Sequence, residues 1–111
     1  MADDSAGGTH RGFLIGYGPT SPRNGVRVHL AGALGSEGAK LLQACGAQIR
    51  TMPVSRVCFD LSDLEAIDGA GARNLIATCS SLRRDGFQVD IHGLRLDVAA
   101  VLAARKLAMR G

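Results

Sequence analysis

Aromatic residues are scarce in this sequence of 111 residues, which contains no tryptophan, one tyrosine and three phenylalanines. A surface that stacks nucleic-acid bases needs exposed aromatic side chains beside clustered basic residues. The 13 basic residues are instead spread along the chain among 10 acidic ones, and the net charge is only +3. Long apolar runs are also missing, and none approaches the roughly 20 residues that a membrane-spanning helix needs. We therefore expect no nucleic-acid partner and no direct membrane insertion.

The N-terminal segment lacks the features of a secretory signal peptide. It reads MADDSAGGT, which is acidic and small, with neither a basic start nor an apolar stretch. Residues 1–10 are predicted to form a flexible N-terminal tail. Residues 11–111 have the length of one domain, since domains commonly span about 100–150 residues. These features are typical of a cytoplasmic protein.

Cysteine is also rare, with three residues standing far apart at Cys45, Cys58 and Cys79. The CxxC and Cys/His spacings that hold metal ions are missing. Free cysteine behaves as a small buried hydrophobe, so we expect three reduced thiols in the core. The sequence accordingly predicts no metal site and no cofactor. Redox control through a pair of these cysteines stays open, because it depends on distances that the sequence does not contain.

Strand-like and helix-like patterns alternate along the chain. The predicted strands are Val26–Leu30, Arg56–Leu61 and Phe87–His92, preceded by a possible strand at Gly12–Tyr17. The predicted helices run from an N-cap at Ser36 to about Arg50, from an N-cap at Asp68 to about Arg84, and from Asp97 to about Met109. Small and polar residues between them predict a turn at Gly18–Gly25 and loops at Ala31–Gly35 and Ser62–Ile67.

The predicted strands are apolar on one face only. In the first of them, Val26, Val28 and Leu30 alternate with polar residues, and the other two strands follow the same pattern. A sheet covered on both faces gives continuous apolar strands, whereas a sheet covered on one face gives this alternation. One-sided strands alternating with helices predict a single α/β domain of two layers, with the helices packed mostly on one face of the sheet.

Three glycines lie between a predicted strand and a predicted helix, where phosphates often bind. Gly32, Gly35 and Gly38 have the spacing GxxGxxG, which differs from both GxGxxG and the P-loop pattern. Lys40 follows the last glycine by two residues and does not occupy the P-loop lysine position. A tight turn and helix entry therefore explain these glycines better than nucleotide binding does.

Two histidines share the polar face of the predicted sheet with two aspartates. His29 and His92 have the same parity as Asp60 and Asp90, and such a group has the side chains used in acid–base catalysis or metal binding. A flat polar face, however, lacks the desolvated pocket that tunes catalytic pKa values. We therefore expect a solvated sheet face and no enzyme activity.

A strand-to-helix junction at Asp68 is the sharpest feature of the sequence. An aspartate at such a junction accepts hydrogen bonds from the first helical turn and complements the positive end of the helix dipole. Gly69 and Gly71 follow it and leave the helix start open to a partner's backbone or an anion. On these residues alone, a simple helix cap explains the pattern as well as a docking site does.

The segment Val57–Gly71, with the sequence VCFDLSDLEAIDGAG, carries a family resemblance. It follows a strand that ends VHLAG at Gly32 and a predicted helix, and the next helix leads to DGFQV at Asp85–Val89. This arrangement resembles the STAS domain family of anti-sigma factor antagonists over residues 26–107. The resemblance implies a STAS-like domain with a mainly parallel sheet of four to five strands and an antiparallel edge strand.

The resemblance also implies where a partner binds. In members similar to bacterial sigma-regulation proteins, an Asp-Ser-Ser/Thr-Gly motif at this helix start carries a phosphorylated serine, and an anti-sigma kinase docks there. Asp68 and Gly71 match the motif, but the two middle positions are Gly69 and Ala70, which have no hydroxyl group. The implied partner-binding residues are therefore Asp68, Gly69, Ala70, Gly71 and Arg73, without phosphorylation at this place.

Several functions remain open under this resemblance. The leading hypothesis is a non-catalytic protein-binding module: an anti-sigma factor antagonist-like regulator of transcription that binds a GHKL-type, kinase-like anti-sigma factor. STAS-like single domains also resemble cytoplasmic accessory subunits of lipid-trafficking ABC transporters, where the partner is the transporter ATPase and no phosphorylation is needed. A nucleotide-binding STAS sensor and an enzyme are further alternatives with less support from the residues.

Overall fold

The computed structural model of this protein describes residues 9–10, 12–21 and 25–110. These residues form five strands, three helices and a short 3₁₀ turn at Ser36–Gly38. The strands are β1 (Thr9–His10), β2 (Phe13–Ser21), β3 (Gly25–Leu34), β4 (Arg56–Ile67) and β5 (Gln88–His92). The helices are α1 (Ala39–Arg50), α2 (Gly69–Arg84) and α3 (Leu96–Arg110).

The strands form one mixed sheet in the order β1-β2-β3-β4-β5. The strands β3, β4 and β5 run parallel to one another, and β2 and β1 extend the sheet with antiparallel pairing. The expected α/β class, with a sheet of four to five strands and an antiparallel edge strand, is therefore confirmed. Strand β1 includes the last two residues of the predicted N-terminal tail, whereas residues 1–8 of that tail lie outside the described residues.

One face of the sheet packs against the helices and the other faces solvent, as the strand alternation predicts. The inward residues of β3 and β4 are at most 1% exposed and form one cluster with buried residues from all three helices. The helix members of this cluster are Leu42, Cys45, Ile49, Leu75, Cys79, Leu82 and Val98. Burial of these apolar side chains, each worth about 1.5–3 kcal/mol for a valine or leucine, holds the two layers together.

Strands β3 and β4 are longer than their sequence patterns indicate. The predicted loops Ala31–Gly35 and Ser62–Ile67 are wrong, because these segments pair with each other as parallel strand down to Leu34 and Ile67. Two register shifts along this ladder break the regular alternation on which the strand predictions depend. Leu64 is fully buried within the extension, so the core continues to the end of both strands.

The turn predicted at Gly18–Gly25 includes residues that belong to strands in the structure. Strand β2 continues through Pro19 to Ser21, and β3 begins at Gly25. Pairing of Thr20 with Val26 extends the hairpin beyond the residues with strand-like alternation, after a register shift between Tyr17 and Thr20. Residues 22–24 lie outside the described part of the chain.

The start of α1 also differs from the prediction. Ser36 begins a 3₁₀ turn, its preceding cap residue is Gly35, and no side chain caps this turn or α1. The helix begins at Ala39 and ends at Arg50, so its predicted end is confirmed.

The position of Cys58 also differs from the prediction, because Cys58 is half-buried on the polar face of β4 and is not in the core.

None of the described helices is long and apolar enough to cross a membrane.

Candidate docking surface

The first turn of α2 is capped by the side chain of Asp68. Its backbone is extended, and its Oδ1 accepts a hydrogen bond of 2.7 Å from the backbone N–H of Gly71. The backbone N–H of Asp68 donates to the carbonyl of Leu34 at 3.2 Å, which ties the junction to the end of β3. The predicted helix cap is therefore present. The bond to Leu34 holds this cap at the place where the parallel strands β3 and β4 end.

The start of α2 lies at the molecular surface. Asp68 and Arg73 are exposed, and Gly69 and Ala70 are half-buried. These four residues define what we call the docking surface. Gly71, the remaining predicted partner-binding residue, is buried, and its amide is already bonded to Asp68.

Gly71 positions the docking surface by allowing close packing. A Cβ atom at this residue would collide with the carbonyl oxygen of Leu34 and lie 2.8 Å from its carbonyl carbon. The helix therefore begins directly against the backbone of β3, which only glycine allows at this position. The sequence suggested that Gly71 leaves the helix start open, whereas in the structure it allows a close contact between α2 and β3.

A shallow depression lies beside the cap. It is lined by Phe13, Ala33, Gly35, Ser36, Glu37, Gly38 and Asp68. The Oδ2 of Asp68 is 3.0 Å from the point that a Cβ of Gly35 would occupy, so the carboxylate borders this depression. Phe13, Ser36 and Glu37 were not among the residues predicted for this site. Phe13 comes near Asp68 because β2 lies next to β3, and Ser36 and Glu37 do so because β3 and β4 end side by side. No local pattern in the sequence carries that information.

The glycines at the end of β3 fill packing roles. Gly38 has no room for a side chain beside Leu34 and Phe13, and Gly32 has a φ of +89° with the backbone of Gly12 directly against it. The carboxylate of Asp68 at the adjacent helix start disfavours an anion there, because like charges repel. Close packing therefore accounts for Gly32 and Gly38, and the predicted tight turn is wrong at Gly32, which lies within β3.

The polar face of the sheet brings the candidate histidines and aspartates onto adjacent strands. Asp60 pairs with His29 on β3 and with His92 on β5. The Nδ1 of His29 lies 3.3 Å from Asp60 Oδ2, and an Arg27 guanidinium nitrogen lies 3.8 Å from the same oxygen. Among the described residues, no group of three or more His, Cys, Asp or Glu side chains is arranged to hold a metal ion.

Hydrogen bonds lower the pKa of Asp60 below its ordinary value. The largest causes are the hydroxyl and the backbone N–H of Ser62, which donate to Asp60 Oδ1 at 2.7 and 3.0 Å. His29 and Arg27 lower this pKa further. These contacts hold the ionised carboxylate in place between β3 and β4, as expected for a structural group on a solvated face.

Asp60→Asn is expected to make the fold less sensitive to acid. An ordinary aspartate has a pKa of about 3.9, and the folded-state pKa of Asp60 is lower. Ionised Asp60 therefore stabilises the fold above about pH 4, and this contribution is lost as the pH falls through the folded-state pKa. Urea unfolding of both proteins between pH 2 and about 6 measures the effect. Asp90→Asn, on the same face of the sheet, is the control. If Asp60→Asn alters the dependence of stability on pH no more than Asp90→Asn does, the prediction is contradicted.

The thiols of Cys45 and Cys58 are poorly suited to reaction. Burial raises the pKa of both, which lowers the fraction of thiolate, the reactive form. The hypothesis of redox control through these two cysteines therefore gains no support.

A comparison with protein-family models identifies the family of this fold. The model described as "Mlab, STAS domain" matches residues 18–108, which include the junction at Asp68 and all of α1, α2 and β5. The chain belongs to the STAS domain family. No curated protein matches this STAS domain.

Solved structures support the same assignment at the level of the fold. The anti-sigma factor antagonist SpoIIAA in its unphosphorylated form is similar, with a TM-score of 0.68 and 13% identity over 86% of this chain and 84% of that chain. The STAS domain of an antisigma-factor antagonist from Rhodobacter sphaeroides has a TM-score of 0.59 and 21% identity, over 73% of this chain and 86% of that chain. This STAS domain is thus akin in structure to anti-sigma factor antagonists.

Asp68→Ala is expected to destabilise this STAS domain by about 0.5–2 kcal/mol, because the hydrogen bond to the Gly71 amide is lost. Asp68→Asn keeps an oxygen acceptor at the cap and is the matched control, with most of the stability retained. Denaturant unfolding measures both. Equal destabilisation by the two substitutions would show that the charge of Asp68, and not its cap hydrogen bond, stabilises the helix start.

Proposed function

We propose that this STAS domain is a non-catalytic module that binds a GHKL-type, kinase-like anti-sigma factor and thereby regulates transcription. The observation that carries the proposal is the accessible start of α2, where Asp68 and Arg73 are exposed beside half-buried Gly69 and Ala70. Its backbone is fixed by the Asp68 cap and the Gly71 contact, so a partner meets a rigid surface. The similarity to anti-sigma factor antagonists supports this class of partner.

Phosphorylation does not control this docking surface in our proposal. The positions that match the phosphorylated serine motif of the resembling proteins are Gly69 and Ala70, and neither side chain can accept a phosphoryl group. A phosphate would add a charge of about −1.5 to −2 at the docking surface. Without that switch, binding is constitutive and follows the concentrations of the two proteins.

The ATPase of a lipid-trafficking ABC transporter is the second candidate partner. Gly69 and Ala70 favour it, because such an accessory subunit needs no phosphorylatable residue. The same docking surface would serve both partners.

Affinity capture with the full chain as bait tests the proposal. We expect retention of a GHKL-type anti-sigma factor that is identified by mass spectrometry and binds again as a purified protein in calorimetry. Recovery of an ATPase together with its permease would replace the leading proposal by the alternative. A purified partner whose affinity is indifferent to substitutions at Gly69 and Ala70 would contradict the docking surface itself.

A further inference from the structure

A groove runs between α1 and α2, separate from the depression at the cap. Its lining residues are Ala39, Leu42, Gln43, Gly46, Arg50, Asn74, Ala77, Thr78 and Ser81. Gly46 opens the groove because it has no side chain. A Cβ there would meet only a terminal nitrogen of Arg50 at 3.3 Å and the methyl group of Thr78 at 3.7 Å. The absence of a side chain at Gly46 therefore leaves space between the two helices.

Both helices that form this α1/α2 groove carry positive charge only. Their sequences include five basic residues and no aspartate or glutamate, and the five are Lys40, Arg50, Arg73, Arg83 and Arg84. All five are exposed. Arg50 is neutralised at 2.6 Å by Asp85, which follows α2. Lys40, Arg73 and Arg84 form no ion pair with any other described residue. On α2, Arg73 lies four residues before the groove-lining Ala77 and Arg84 three residues after Ser81, so this side of the groove keeps uncompensated positive charge.

The groove is also lined by hydrogen-bond donors. Gln43, Asn74 and Thr78 line it, and their side chains carry amide and hydroxyl donors. Within the described residues, these three side chains make no hydrogen bond. An ionised carboxylate only accepts hydrogen bonds, so its chemistry complements both the donors and the positively charged side of the groove.

The geometry points to a specific occupant: an acidic α-helix of the partner protein lies along the α1/α2 groove. This inference rests on the proposed function, because it assigns a second contact to the partner that binds the docking surface. The glutamate or aspartate side chains of that helix accept hydrogen bonds from the groove, and its small residues pack over Gly46 and Ala77.

A helix fits this place better than an extended segment does. The walls of the groove are helices whose backbone groups are already hydrogen-bonded, so they offer no strand edge with which an extended chain could pair. A helix brings a satisfied backbone and needs only side-chain contacts. The 12 residues of α1 provide a length of about 18 Å, which is enough for about three turns.

The groove is continuous with the docking surface. Ala70, Asn74, Ala77 and Ser81 follow one another along a single face of α2 at helical spacing. Ala70 belongs to the docking surface, and the other three line the groove. A partner that contacts the start of α2 therefore reaches the groove without crossing another element.

Binding of model peptides tests the inference without an identified partner. The probe is a synthetic alanine-based helix of about 16 residues with glutamates on one face, since shorter helices are marginal in water. NMR titration of the full chain should shift the amide signals of Gln43, Gly46, Asn74 and Thr78, and added salt should weaken the effect. Peptides with glutamine or lysine in place of glutamate should leave these signals unchanged. Equal shifts with all three peptides, or shifts located elsewhere, would overturn the inference.

Substitutions separate this inference from the proposed function. Ala77→Glu puts a carboxylate into the groove and should weaken binding of the glutamate peptide roughly tenfold or more. Ala44→Glu on the exposed outer side of α1 is the matched control and should change it little. With the captured partner, loss of affinity on substitution of Ala70 but not of Ala77 would refute the groove and leave the docking surface intact. Loss at Ala77 but not at Ala70 would refute the docking surface instead.

Discussion

Gly71→Ala is expected to lower the stability of this STAS domain by about 1–3 kcal/mol, as overpacking of a close contact generally does. The added Cβ would collide with the Leu34 carbonyl oxygen, which is backbone and cannot move aside as a flexible side chain would. Either the start of α2 or the end of β3 must shift, and both carry the hydrogen bonds of the Asp68 cap. The melting temperature should fall by about 4–8 °C for each kcal/mol lost.

Gly16→Ala is the matched control for this substitution. Gly16 lies in β2, and a Cβ there would have no atom within 4 Å. Thermal unfolding should therefore leave the control close to the unmodified protein, whereas Gly71→Ala unfolds at a clearly lower temperature. Identical melting temperatures for the two variants would show that the helix does not begin against the strand as described.

Ala70→Glu is expected to reduce the affinity for the partner by roughly tenfold to a thousandfold. The position is half-buried in the docking surface, so binding would remove the new carboxylate from water, and a pair with Arg73 at i+3 recovers only about 0.2–0.5 kcal/mol. The fold should tolerate the change, because a negative charge in the first turn of a helix interacts favourably with its dipole. The loss therefore belongs to binding and not to unfolding.

Calorimetry with the purified partner measures this loss, and thermal unfolding confirms that the variant is folded. Ala44→Glu introduces the same charge on the exposed side of α1 and is expected to bind normally. If both variants bind equally well, the partner does not contact the start of α2. If both bind equally poorly, the effect of Ala70→Glu comes from overall charge.

The sequence predicts the two faces of the sheet well because strand periodicity is local. Val26 and Val28 alternate with Arg27 within one strand, and their burial follows from which side of the sheet the helices cover. The same periodicity does not predict the C-terminal ends of β3 and β4. The segment from Ala31 to Leu34 has small, loop-like residues and becomes a strand only because β4 pairs with it.

The sequence likewise predicts only part of the candidate docking surface. Asp68 is identifiable as a cap because the signal lies within one helical turn. The packing role of Gly71 cannot be identified in this way, because it depends on a contact with Leu34, which lies 37 positions earlier in the chain. The α1/α2 groove cannot be predicted from the sequence either, because it forms only when the two helices pack side by side.

The hydrogen bond from the Asp68 amide to the Leu34 carbonyl has a kinetic consequence. Together with the hydrogen bond from the Gly71 amide to Asp68, it holds the first turn of α2 in a single backbone arrangement before any encounter. Little freedom is then lost from this turn on association, and rigid surfaces of this kind change little between their separate and complexed forms. The speed of complex formation should accordingly follow collision frequency and salt concentration, with no slow reshaping step of this turn.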